Sequence, residues 1–232
     1  MEGSDLLKKI KKLILAILGM ALIYLGAKFD NLYVPISLAF IMISMAFLFI
    51  KFEKRKIEAE EMVIISVLSA LAAVSRVPFS SLPSVQPTSF FIIVTGLIFG
   101  SETGFLVGTS SALISNFFMG QGPWTPWQMF AWGLMGYTAG IIGRYEKARS
   151  KKSVLAFGFI WGFLFGWIMN LWFVIGFMKE VTLKAFMTYY AASFYFDLAH
   201  ALSNIFFISI FRERVEKILK RAKFRYGILQ DK

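Results

Sequence analysis

The chain has 232 residues, a formal net charge of +11 and 57% apolar residues, against about 45–50% in a soluble domain. The excess lies in long continuous runs, which indicates an integral membrane protein built of helices, since lipid offers backbone amides no partners and the runs do not alternate as barrel strands do. Cysteine is absent and histidine occurs once, which excludes disulfides, thiolate metal sites, cysteine nucleophiles and a histidine metal cluster; the basic residues cluster beside apolar runs, as the positive-inside rule requires, rather than forming a nucleic-acid face.

Lys8, Lys9, Lys11 and Lys12 precede an apolar run that reaches Ala27, a pattern shared with signal peptides. A second run, Leu32 to Ile50, follows so closely that the pair is predicted to form an uncleaved helical hairpin turning at Lys28–Asn31. With the charged connector that follows it, this hairpin makes up residues 1–61. Six apolar segments come next, at about 62–78, 86–100, 104–119, 127–143, 153–177 and 190–211, and predict an all-α six-helix core over 62–211. Several are shorter than the roughly 20 residues that a bilayer core needs. The second and third are separated only by Gly100-Ser-Glu-Thr-Gly104, which reads as a short hairpin. In the basic tail, 212–232, Val215, Ile218, Leu219 and Ala222 recur at helical spacing and predict an amphipathic helix on the membrane face. With eight helices and a cytoplasmic N-terminus, all of the 25 Lys and Arg except Lys28, Arg76, Lys179 and Lys184 lie on the cytoplasmic side. Seven helices would place a basic cluster outside, so both termini are expected in the cytoplasm.

That orientation puts one unusual connection outside, Asn116-Phe-Phe-Met-Gly-Gln-Gly-Pro-Trp-Thr-Pro-Trp-Gln-Met129. Pro123 and Pro126 cannot continue a helix, and Gly120 and Gly122 permit tight turning. Trp124 and Trp127 suit a membrane–water boundary, as interfacial anchors or as the wall of a ligand site. Polar residues within apolar segments are few: Arg76, Asn116, Asn170, Asp197, His200 and Asn204. Each is costly in lipid unless it faces protein or a wet cavity. Arg76, Asn116, Asn170 and Asp197 belong to four helices and sit at the same outer level, with His200 one turn deeper than Asp197 on one face. They are candidates for a pocket open to the outside. The alternatives are structural: Arg76 and Asp197 neutralising each other, His200 satisfied in the core, and asparagines joining helices.

Glycines spaced by four (Gly96, Gly100, Gly104 and Gly108; Gly136 and Gly140; Gly158, Gly162 and Gly166) read as helix-packing ridges. Ser66 with Ala70, and Ser69 with Ala73, form a similar ridge that could dock a sister helix or a partner subunit. The chain carries no phosphate-loop motif, no Gly-x-Ser-x-Gly and no paired-histidine motif. Asp197 and His200 could act as an acid–base pair, but no nucleophile accompanies them. No catalytic residue, metal or cofactor is expected.

The core, 62–211, resembles the substrate-specific S components of energy-coupling factor (ECF) vitamin transporters. The matching residues are Ser69-Ala-Leu-Ala-Ala-Val-Ser-Arg76, the loop through Pro83 and Pro87, Thr95-Gly-Leu-Ile-Phe-Gly100 with Gly104, and the loop from Asn116 to Met129. The resemblance implies a plasma-membrane, multi-pass protein that binds a vitamin at its outer face. Such a protein joins a membrane coupling subunit and two cytosolic ATPases, and releases its cargo by toppling in the bilayer. It further implies a lid at 77–87 and a docking ridge at Ser69 and Ala73, with Ser66 and Ala70 beside them. The loop pattern is most similar to members assigned to cobalamin or related corrinoids. On that basis Arg76, Asn116, Gln121, Trp124, Trp127, Asn170, Asp197 and His200 are expected to bind substrate. A scaffold subunit whose loop binds protein and a lipid-acting intramembrane enzyme remain the competing readings.

Overall fold

The computed structural model describes residues 59–177 and 182–225, with Pro35, Ala39, Met42, Ile43, Met45, Ala46 and Gly227. The hairpin expected within 1–61 therefore lies almost wholly outside the described residues. So does the end of the tail.

Residues 59–225, as far as described, contain no strand and form seven α-helices: α1 Ala59–Val74, α2 Thr88–Phe99, α3 Ser101–Met119, α4 Thr125–Ile142, α5 Lys151–Phe177, α6 Leu183–Ala192 and α7 Phe194–Arg225. Short 3-10 turns occupy Val77–Phe79 and Glu146–Arg149. The segments Ala59–Phe79, Lys151–Val174 and Phe194–Arg225 are long and apolar enough to cross a membrane. Exposed Met62, Val63, Val67, Leu71 and Val74 on α1, and Leu202, Phe206 and Ile210 on α7, give the bundle an apolar exterior, as a lipid-facing surface requires.

The 12-residue α2 is the axis of the bundle. Every residue of it except Phe91 is buried, which explains why its sequence is apolar on all sides. It packs against α1, α3, α4 and α7. At about 1.5 Å per residue it is too short to cross a hydrocarbon core of about 30 Å. Its C-terminal carbonyls are capped by cations, which suits the negative end of a helix: Arg149 donates to the Leu97 carbonyl at 3.3 Å and Lys223 to the Ile98 carbonyl at 3.0 Å.

The connection from α2 to α3 is shorter than the sequence suggests. Gly100 alone forms it, at φ 92°, where an L side chain is strained. Gly100 is therefore a turn residue rather than part of a packing ridge, and residues 101–104 already form the first turn of α3. The other glycines of α2, α3 and α4 do serve packing. A Cβ on Gly104 would strike the Gly136 carbonyl, one on Gly136 would strike that of Gly104, and one on Gly108 would strike that of Trp132. The helix backbones are in direct contact there.

Helix α5 meets α7 along a second seam. Gly162 faces the Ala201 backbone, Gly158 faces Ile208 and Asn204, and Gly166 faces the Asp197 carboxylate. Asn204 donates to the Gly158 carbonyl at 2.8 Å, the helix-joining role considered for it. The last predicted segment, 190–211, is divided: α6 ends at Ala192 and α7 begins at Phe194. The tail forms no separate element, since α7 runs unbroken to Arg225. Arg212 is buried on it and donates to the Arg149 carbonyl at 2.6 Å. It also pairs with Glu216.

Candidate functional site

One end of the bundle gathers the C-terminal ends of α1, α3 and α5 and the N-terminal ends of α2, α4 and α7. Two adjoining polar assemblies occupy it.

The first is centred on Arg76 and Asn116. Arg76 Nε donates to Gln86 Oε1 at 2.7 Å, and Nη1 donates to Ser115 Oγ at 2.9 Å and to Asn116 Oδ1 at 3.0 Å. Its guanidinium carbon stands 5.1 Å from the centre of the Trp132 ring, close enough for a cation–π contact. Asn116, 2% exposed, uses its amide nitrogen on Thr125 Oγ1 at 3.0 Å and Gln128 Oε1 at 2.8 Å. Both N–H groups and the carbonyl are engaged, so Asn116 has no donor left for a ligand. Thr125 in turn donates to Gln121 Oε1 at 3.0 Å, and Gln121 donates to the Leu113 carbonyl at 3.0 Å. This chain of bonds fixes the 120–124 loop. Gly120, at φ 101°, ends α3, and Pro126 sits in the first turn of α4, where its missing N–H is harmless. Gly122 leaves room for the Trp124 indole, which a Cβ would strike.

The second assembly opens on a cleft of about 370 Å³. Ser84, Phe165, Gly166, Met169, Asn170, Tyr189, Ser193, Phe196, Asp197 and His200 contribute to its lining. Asn170 Nδ2 donates to Ser193 Oγ at 2.6 Å, and Ser193 Oγ donates to Asp197 Oδ2 at 3.1 Å. His200 Nε2 lies 2.7 Å from Ser89 Oγ, which also accepts from the Trp132 indole N–H at 3.1 Å. Phe165 meets His200 edge-on at 4.9 Å and stacks on Trp132 at 5.1 Å. Trp132 thus stands between the two assemblies, beneath Arg76 and bonded through Ser89 to His200.

Of the residues expected to bind substrate, the cleft brings together Asn170, Asp197 and His200. Arg76 and Asn116 form the neighbouring network. Trp124 packs edge-on against Trp172 at 6.1 Å and is 37% exposed. Trp127 is buried instead in a small apolar cluster with Met45, Phe105 and Leu106. Arg76 and Asp197 do not pair: Arg76 bonds to the oxygens of Gln86, Ser115 and Asn116, and Asp197 to Ser193.

The expected docking ridge is split. Ser69 and Ala73 are buried against the bundle. Ser66 and Ala70 face outward. A partner helix could reach only the second pair, since four-residue spacing puts each pair on its own stripe of α1.

The site residues that the sequence reading missed are Gln86, Ser89, Ser115, Thr125, Gln128, Trp132, Gly166 and Ser193. Most are small or neutral and look like loop or packing residues. The available signals were positional: Gln86 precedes Pro87 at the start of α2, and Ser193 lies one turn before Asp197.

The family model for the substrate-specific component of ECF transporters matches residues 60–213. Among curated proteins, a UPF0397 protein of Vibrio atlanticus is 26% identical over 102 residues, 42% of this chain and 56% of its own length. A UPF0397 protein of Aliivibrio fischeri strain MJ11 is 24% identical over 103 residues, with the same coverage of each chain. The chain thus spans about half the length of these curated relatives. No solved structure matches it.

Proposed function

The chain belongs to the family of substrate-specific components of ECF transporters, and from that premise we propose that it captures a small, water-soluble vitamin at the cleft between α5, α6 and α7 and delivers it to an ECF coupling subunit with its ATPases. Membership of the family supports a membrane-embedded transport subunit that works with coupling and ATPase partners. The observation that carries the assignment of the site is the cleft itself, a concave, largely apolar space with a few convergent polar groups, which is the usual form of a small-molecule site.

In this reading the cleft faces outward and both termini are cytoplasmic. The charge distribution supports that orientation: Asp197 lies in the first turn of α7, at the cleft, while Lys223 and Arg225 lie in its last turn. Asn170, Asp197 and His200 contact the substrate. Arg76 and Asn116 act as positioning residues that hold α1, α3 and α4 around it, and the fixed 120–124 loop with Gln121 and Trp124 walls the mouth. Trp127 supports that wall from within. The exposed stripe of Ser66 and Ala70 docks the coupling subunit. Binding proceeds without turnover.

The cleft favours a molecule of one or two rings, because about 370 Å³ is near the lower end of the roughly 300–1,000 Å³ typical of drug-sized pockets. The second reading, a cobalamin-type corrinoid, rests on the pattern of the Trp124–Trp127 loop and requires the cleft to open further.

Native mass spectrometry of the detergent-purified chain against a vitamin panel tests the proposal. One adduct per chain at submicromolar concentration is the expected result, and a cobalamin adduct decides for the second reading. A chain that neither takes up a vitamin nor assembles with an ECF coupling subunit refutes the importer role. It would move the assignment to a scaffold subunit.

A further inference from the structure

Building on the importer reading, we propose that the cleft selects a substrate with a positively charged group, an amine, an amidine or a cationic heteroaromatic ring, and that Asp197 holds it. Asp197 is only 4% exposed yet lines the cleft. Its Oδ2 accepts from Ser193, whereas its Oδ1 has no donor among the described residues. Among the described residues neither Lys nor Arg lines the cleft. Arg76, the cation of the adjoining network, directs its bonds to the neutral oxygens of Gln86, Ser115 and Asn116.

A carboxylate withdrawn from water without a cation is costly by several kcal/mol. It becomes favourable when a charged donor enters and completes the pair. The same carboxylate repels a substrate carboxylate or phosphate at this position.

The surroundings fit that role. Gly166 lets Oδ1 lie directly against the α5 backbone, where any Cβ would displace it. Phe165, Tyr189 and Phe196 supply aromatic walls, and aromatic faces attract cations. Ser193 is held by Asn170, and its one hydroxyl proton is shared between Oδ2 and the Tyr190 carbonyl, each at 3.1 Å, so the carboxylate is at most partly satisfied and Oδ1 is left as the free acceptor. Glycine, carboxylate and aromatic walls together make a receptor for one cationic group on a flat molecule.

The experiment uses the full chain in detergent, with native mass spectrometry and titration calorimetry. Thiamine and pyridoxamine carry a net positive charge; pyridoxine, riboflavin and cyanocobalamin are net neutral, and biotin and pantothenate are anionic. The expected result is a submicromolar adduct from the first set alone, weakened at least about 30-fold by Asp197→Asn, since removing one partner of a buried charge pair costs roughly 2–5 kcal/mol. If the variant does not fold, the ranking of the wild-type chain across the panel, including pyridoxamine against pyridoxine, decides alone. A tighter adduct from a neutral or anionic member overturns the inference. So does an Asp197→Asn affinity within threefold of wild type, which would mean a protonated carboxyl. No adduct from any member, in a chain that still assembles with the coupling subunit, overturns the cation inference and leaves the importer role standing. Loss of both binding and assembly removes the importer role itself.

Discussion

Replacing Asn116 by Ala separates a framework residue from a ligand contact. The side chain makes three hydrogen bonds, to Arg76, Thr125 and Gln128. Each is worth about 1 kcal/mol net, the one to the guanidinium somewhat more. Interhelical bonds in membranes average nearer 0.6 kcal/mol, which sets the lower bound. Thr125 keeps its bond to Gln121, and Arg76 keeps Gln86 and Ser115. Gln128 is 5% exposed and loses the Asn116 amide, so part of its desolvation cost is uncompensated. The total is about 3 kcal/mol, or a fall of about 6–12 °C in the unfolding midpoint for a chain of this size. The assay is thermal unfolding in detergent followed by tryptophan fluorescence, paired with vitamin titration. Affinity should fall only as far as the frame loosens, and raising the ligand concentration should restore saturation. A midpoint within about 2 °C of wild type, with binding abolished, would refute the reasoning and make Asn116 a direct contact.

Gly136→Ala should destabilise by about 1–3 kcal/mol, the usual range for overpacking, because its new methyl meets the Gly104 carbonyl; a chemical-denaturation midpoint checks this. Ala70→Leu should leave the unfolding midpoint within about 2 °C of wild type while reducing co-purification with the coupling subunit, whereas Ser69→Leu should lower the midpoint itself, since Ser69 is buried. Loss of assembly from neither, with both chains folded, would remove α1 as the docking face. Arg212→Met should destabilise by about 2–4 kcal/mol, because it leaves Glu216 with only the exposed Lys220 and releases the Arg149 and Ser150 carbonyls. Lys220→Met removes only an exposed partner of Glu216 and should change the stability by less than about 1 kcal/mol.

The helices themselves were legible because a buried or lipid-facing segment has to be apolar along its length and glycine and proline mark its ends. The predicted 127–143 became Thr125–Ile142, and 153–177 became Lys151–Phe177. The exceptions follow from local geometry. A single residue at φ 92° was enough to separate α2 from α3, and periodicity carries no mark of backbone sign. Continuation of α7 into the tail was hidden because a charged stretch reads as a surface helix. Arg212 is nonetheless buried, with its charge answered by Glu216 and two carbonyls. The expensive polar residues were legible one at a time, since lipid penalises each. Their partnerships were not. Asn116 and Asp197 look alike as isolated polar residues, yet one is saturated and the other keeps an open oxygen. Spacing along single helices does not encode bonds made across three of them. Gly166 was read as a packing residue like Gly158 and Gly162; only the opposing helix shows that it faces a carboxylate.

Helix α7 has 32 residues and no interruption, so at about 1.5 Å per residue it is a strut of about 48 Å. Its first turn carries Asp197, and its last turns carry the lysine that caps the axial helix at Ile98. A strut without a joint transmits tilt. An angular change of about 5° where cargo arrives displaces the far end by about 4 Å, taking the length from the helical rise. Occupancy of the cleft would thus be reported, by leverage alone, at the opposite face of the protein.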